Sequence, residues 1–189
     1  MKSQRVFKGG FTMVDRLKSG RKRATEVVRT KPGRYSVAFL IYVPKKDCVI
    51  LVEQDRSAMI MDDNPTGTIE EVPAGRIERL ETPAVVIARE ASEEVGAAIT
   101  VGQVRMLNAG QPLAVSPGVL DEMMYLGYVK LRAGQLSPDR VFGLPSEGER
   151  IYRRLVRVEH LPFKDYEDLK TFALVQWFLR EHGGNKGRK

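Results

Sequence analysis

Between Thr82 and Gly96 the chain carries a segment whose ends and faces are all specified, and no other stretch restricts the fold as tightly. Thr82 is placed to cap a helix, and Pro83 suits its first position, where a missing N–H costs nothing. Gly96 marks the C-terminal stop, because it enters the left-handed conformation readily. Ala84, Ile87, Ala88, Ala91 and Val95 share one face at the period of a core-packed helix. Glu90, Glu93 and Glu94 gather on the adjacent face, at spacings that bring side chains together. Like charges so close repel, so the first reading is a site for a divalent cation and the second a solvated acidic face. The apolar stripe would fix the helix to a core and aim the carboxylates along one edge.

The wider pattern decides between them. Gly75, Glu81, Arg89, Glu90, Glu93, Glu94 and Gly96 fall in the order G-x5-E-x7-R-E-x-x-E-E-x-G, which resembles the signature of the Nudix hydrolases at every fixed polar and glycine position. Ala91 and Ala97 depart mildly, standing where family members usually have Ile, Leu or Val. The resemblance implies Mg2+ or Mn2+ bound by Glu90, Glu93, Glu94 and the main-chain carbonyl of Ala74, an oxygen-rich set suited to hard cations. It implies that Glu81 and Arg89 brace the loop and helix as an ion pair. Glu93 and Glu94 thereby count among the catalytic residues.

Outside this segment the chain is similar to the branch containing ADP-ribose and nucleoside-diphosphate-sugar pyrophosphatases. The matching pieces are Val52-Glu53-Gln54-Asp55-Arg56, Glu71-Val72-Pro73-Ala74-Gly75, Ser116-Pro117-Gly118 with Glu122, and Pro145-Ser146-Glu147-Gly148-Glu149. Carried over, Arg56 faces phosphate or the terminal sugar, and Glu71 helps hold a metal or ribose. Pro117 and Gly118 shape a loop over the sugar, with Glu122 contacting substrate there. Glu147 on a closing loop acts as general base, with Glu149 as competitor. Phe11 and Arg29 are candidates for stacking on or bonding to the nucleobase. One aromatic expected near Phe11 is missing, so a GDP-sugar stays open beside ADP-ribose. The branch also implies a homodimer that exchanges its N-terminal sheet, and an isolated hairpin is marginal alone.

Composition sets broader limits. The chain has 189 residues, 42% hydrophobic and 29% charged, which suits one globular domain with a sizeable core. The longest apolar run, Tyr35 to Val43, is too short to span a bilayer. No basic-apolar-cleavable leader opens the sequence, and the single cysteine, Cys48, fits a reducing cytoplasm. The net charge of +7 resides largely in Lys18 to Arg23 and the terminal GGNKGRK. Without interleaved aromatics, that charge reads as a solvated surface and not a nucleic-acid platform.

Along the chain, Arg5 to Val14 and Ala24 to Thr30 read as paired strands around the basic turn. Further strands are expected at 35–43, 48–54, 68–72, 103–109, 122–131 and 151–158, with a closing helix over 167–181. That helix is expected to bury Leu169, Phe172, Ala173, Val175, Gln176 or Trp177, and Leu179 in some combination. The expected class is α+β: a Nudix α/β/α sandwich with a mixed sheet, plus an N-terminal antiparallel hairpin or sheet. The divisions are 1–34, dimer-forming; 35–182, the hydrolase domain; and 183–189, a basic disordered tail. The expected activity is cleavage of the pyrophosphate of ADP-ribose or another nucleoside diphosphate sugar to a nucleoside monophosphate and a sugar phosphate. Pyrophosphatase action on a dinucleotide or damaged nucleotide is the alternative, followed by a non-catalytic nucleotide- or RNA-binding module.

Overall fold

The computed structural model describes residues 2–9, 12–18, 24–30, 33–78, 80–144 and 148–184. β1 (Lys2–Lys8), β2 (Thr12–Lys18) and β3 (Thr25–Thr30) form an antiparallel three-stranded sheet. The stretch expected as one strand, Arg5 to Val14, is two: the Gly9 N–H donates to the Thr12 carbonyl and turns the chain back.

The second sheet is built from β4 (Tyr35–Val43), β5 (Cys48–Asp55), β6 (Thr68–Glu71), β7 (Ala74–Arg76), β8 (Val104–Met106), β9 (Leu113–Ala114), β10 (Met123–Lys130), β11 (Val141–Phe142) and β12 (Ile151–Arg157). Its main order is β11-β12-β5-β4-β10-β8, with β6 on β5, β7 on β4 and β9 on β10. Among the described strands of this sheet β4 and β10 run parallel and the other pairings are antiparallel.

β4 explains the layering. Val37, Phe39, Ile41 and Val43 face one way and pack with Val86, Ile87, Ala91 and Val95 of α1 (Pro83–Val95). Ala38, Leu40 and Tyr42 face the other way, against Leu174, Val175 and Phe178 of α2 (Leu169–Gly184). A strand buried on both faces needs a continuous apolar run, which the sequence supplies. The result is the expected α/β/α sandwich in an α+β domain. Burying each of these large side chains contributes about 1.5–3 kcal/mol.

Three expectations change in detail. The 103–109 strand shrinks to β8, since Asn108 and Ala109 adopt positive φ in a short 3-10 turn. α2 starts at Leu169 and runs through Gly184, with Leu174 and Phe178 buried while Leu169 and Phe172 stay exposed. Thr82 occupies the cap position of α1 in extended geometry, but its side chain makes no capping bond. Gly96 fulfils its role at φ 62°, and a Cβ there would also strike the Phe142 ring. Among the described residues no helix is long and apolar enough to cross a membrane.

Candidate active site

α1 carries the acids to the edge of the sheet. Val86, Ile87, Ala91 and Val95 hold it down, and Glu90 and Glu94 lie on the same buried side, 8% and 6% exposed. The acids therefore do not occupy a separate solvated face; two of them are partly in the core. Burial pushes Glu94 up to about 8, helped by the neighbouring Glu90 charge and opposed by the Ala74 N–H. That N–H donates to Glu94 Oε2 at 3.1 Å. Burial likewise pushes Glu90 up to about 7, with Arg89 opposing and Glu93 and Glu149 adding to the rise.

Gly75 makes this arrangement possible. A Cβ at that position would run into the Glu90 carboxylate, so the β7 backbone approaches the acid as only glycine permits. Arg89 pairs within its own helix, 2.9 Å from Glu90 and 2.8 Å from Glu93. The expected bracing pair with Glu81 is not what holds it: Glu81 contributes only to the field that raises the Arg89 pKa, the smallest influence on a guanidinium that burial alone would lower.

A second set of charged groups centres on Glu71. Glu71, 1% exposed, accepts from Gln54 at 2.9 Å and from Arg56 at 2.6–2.7 Å, and Lys170 closes on its other oxygen. Lys170 also lies 2.9 Å from Asp168, which caps α2 by accepting from the Thr171 N–H and hydroxyl. Burial works to raise the Asp168 pKa, but bonds from Thr171 and Lys170 prevail and hold it below the ordinary range. The fully buried Thr171 hydroxyl accepts from the Val72 N–H at 2.8 Å, tying the start of α2 to the strand end that bears Glu71.

These groups border one cleft of about 640 Å³. Arg56, Ala74, Glu90, Glu93, Glu94 and Glu122 all line it, as the sequence implied; Glu71 sits behind Arg56 and Lys170 as their common anchor. Ser36 donates to Glu122 at 2.6 Å and fixes that acid at the rim. Arg29 lies elsewhere, engaged with Asp15 at 3.5 Å and Asp121 at 3.2 Å. Pro117 and Gly118 are exposed and do not line the cleft, and Gly118 has neither a positive φ nor a crowded Cβ site. Phe11 and Glu147 fall outside the described residues, while Glu149 lines the cleft.

Sequence reasoning missed Lys170, Arg76, Asp168 and Ser36, all of which border the cleft. The one available signal was the Asp168-Leu169-Lys170-Thr171 capping pattern, which places a lysine in the first turn of α2.

Among the described residues, no three His, Cys, Asp or Glu side chains converge as a ready-made metal cage. The donors still fit a hard divalent cation, since Glu90 and Glu94 are buried acids beside the Ala74 backbone. Mg2+ commonly takes one or two carboxylates and fills its shell with water and substrate phosphate.

The NUDIX domain model matches residues 32–178. The chain belongs to the NUDIX family. Within that family it is 36% identical over 170 residues to the "GDP-mannose pyrophosphatase" of Escherichia coli O1:K1 / APEC, covering 83% of this chain and 82% of that protein. The protein of that name from Shigella flexneri serotype 5b (strain 8401) matches to the same extent. The one from Enterobacter sp. (strain 638) is 36% identical over 104 residues, a match spanning 53% of this NUDIX chain and about half (51%) of that relative.

Proposed function

We propose that this NUDIX protein hydrolyses the pyrophosphate bond of a nucleoside diphosphate sugar, with a GDP-linked hexose as the first substrate to test and ADP-ribose as the second. The observation that carries the reading is one cleft lined by two sets of groups, the buried acids of α1 and the cations Arg56 and Lys170 anchored on Glu71. That division suits a ligand that is a phosphate chain bridged to protein acids by a divalent cation. Its volume lies within the range of small-molecule sites. The similarity to GDP-mannose pyrophosphatases supports the sugar nucleotide over a triphosphate.

Mg2+ or Mn2+ held by Glu90, Glu93, Glu94 and the Ala74 carbonyl would neutralise the pyrophosphate and acidify the attacking water. Arg56 and Lys170, fixed by Glu71, orient the phosphate oxygens, Arg56 through a fork suited to two of them. Glu122, held by Ser36, contacts the sugar. A carboxylate of the 145–149 loop takes the proton from water as its oxygen bonds to phosphorus, and the anhydride P–O bond breaks toward the departing phosphate. Glu149 fits that base role because it lines the cleft and acts on Glu90; Glu147, two positions earlier in the sequence, is the other candidate. The protein is further proposed to work as a homodimer, with Phe11, Arg29, Pro117 and Gly118 acting at the base and sugar end across the interface.

The test is a panel of nucleotide sugars, dinucleotides and triphosphates incubated with Mg2+, with products separated by chromatography. A nucleoside monophosphate and a sugar phosphate are expected; turnover confined to triphosphates would overturn the assignment. Glu147→Gln and Glu149→Gln, compared on the best substrate, identify the base as the variant that loses about 10²–10⁴ in kcat.

A further inference from the structure

A second concavity, of about 1130 Å³, is lined by Tyr152 to Val156 of β12, the β4–β5 turn and the segment between β10 and β11. β11 pairs with β12 only at Val141–Tyr152 and Phe142–Ile151, and the Arg153 N–H adds one bond to the Arg140 carbonyl. Beyond Arg153, no strand pairs with that side of β12 among the described residues. Unpaired strand edges are templates for another chain.

The charge around this edge is one-sided. Lys45, Lys46, Arg132 and Arg140 border the groove, and among the described residues none of them makes an ion pair. Arg154 adds a cation already bound to Glu53, and Glu70, the acid on the lining, is matched by Lys164 at 3.0 Å. Between these charges the surface is apolar: Leu155 and Val141 are 37% and 47% exposed.

We infer that this open edge of β12 is a docking site for an extended acidic peptide, which adds to the sheet by main-chain hydrogen bonds while its carboxylates meet the four cations. The charge selects the partner. A second copy of this basic chain would set like charges against each other across the edge. A nucleic-acid strand would lay phosphates over Leu155 and Val141, and the lining aromatic, Tyr152, is already covered by Arg150 at 5.1 Å. An acidic strand with alternating apolar residues satisfies the edge, the charge and the apolar surface together. The groove is also bolted to α1, because Arg153 donates to the Val95 carbonyl at 2.7 Å. That bond is structural, and the docking site is separate from the cleft.

The test uses fluorescence anisotropy with the full chain at low salt. The probe is a synthetic peptide of alternating glutamate and valine, compared with its lysine–valine counterpart, an alternately N-methylated version and an oligothymidylate. The acidic peptide is expected to bind saturably, and about tenfold more weakly to Arg132→Glu/Arg140→Glu. N-methylation, which removes ladder donors, should abolish binding. The thermal melt and far-UV spectrum of the double variant should match those of the parent, so a fold defect would be visible and the outcome is independent of the cleft's substrate. Absent binding, equal binding of the N-methylated peptide, or equal or tighter binding of the lysine–valine peptide or the oligothymidylate would each overturn the proposal.

Discussion

Glu94 concentrates the conflict on which the cleft is built. Its side chain is buried where α1 meets the cleft, shares its surroundings with Glu90, and has one backbone donor at Ala74. A buried acid whose folded pKa is raised costs nothing while protonated, and its penalty grows as pH climbs from the unfolded value toward the folded one. For Glu94 that interval runs from 4.5 to about 8, and for Glu90 from 4.5 to about 7. The metal-free protein should therefore lose stability between pH 5 and pH 8, by roughly 1.4 kcal/mol per pH unit for each acid within its interval. Thermal melts with EDTA across that range measure the loss, and Glu94→Gln should flatten the profile. A profile unchanged by the substitution would mean that the acid is not desolvated as described. The same variant should lose about a thousandfold in kcat with Mg2+ present, because several kcal/mol of charge stabilisation go with the ligand. Gly75→Ala is a companion change: its Cβ displaces Glu90 and should weaken Mn2+ binding while the chain remains folded, as read by calorimetry.

At the scale of elements, the start of α2 decides where Lys170 stands. Thr171 accepts from Val72 and donates to Asp168, so one hydroxyl joins the helix cap to the end of β6. Thr171→Val leaves the buried Val72 N–H without its acceptor and should cost about 1–3 kcal/mol in urea unfolding, while Thr171→Ser should recover most of it. KM for the nucleotide sugar should rise with the valine variant, because Lys170 leans on the same turn. Only the Asp168 cap was open to a local reading; the pairing was not, because Lys170 and Glu71 are 99 positions apart. β4 was legible to the residue because a strand buried on both faces must be apolar throughout. α2 was legible as a helix but not in its facing. Leu169 and Phe172 match the helical period as well as Leu174 and Phe178 do, and only the sheet beneath chooses between them. In α1 the ends and the clustered acids were readable from local rules, whereas the depth of Glu90 and Glu94 depends on how closely β7 approaches through Gly75.

For the whole molecule, the sandwich sets two helices on opposite faces of one mixed sheet, and the cleft lies where β6, β7 and the start of α2 meet α1. The three-stranded N-terminal sheet reaches this body through Val28, which bonds to Val119 and Asp121, and through Arg29 and Thr30 on Asp121. Such a small sheet has little core of its own, so a partner subunit would cover it. Sedimentation equilibrium at micromolar concentration should return twice the chain mass; a monomer alone would remove the proposed sharing of Phe11 and Arg29 between sites. α1 and β7 together are proposed to hold a divalent cation against a substrate phosphate. Anomalous scattering from crystals soaked with Mn2+ and a nucleoside diphosphate tests it most directly. A peak bounded by Glu90, Glu94 and the Ala74 carbonyl, with a phosphate oxygen completing the shell, is the predicted result. No manganese at that position, with the nucleotide bound in the cleft, would contradict it.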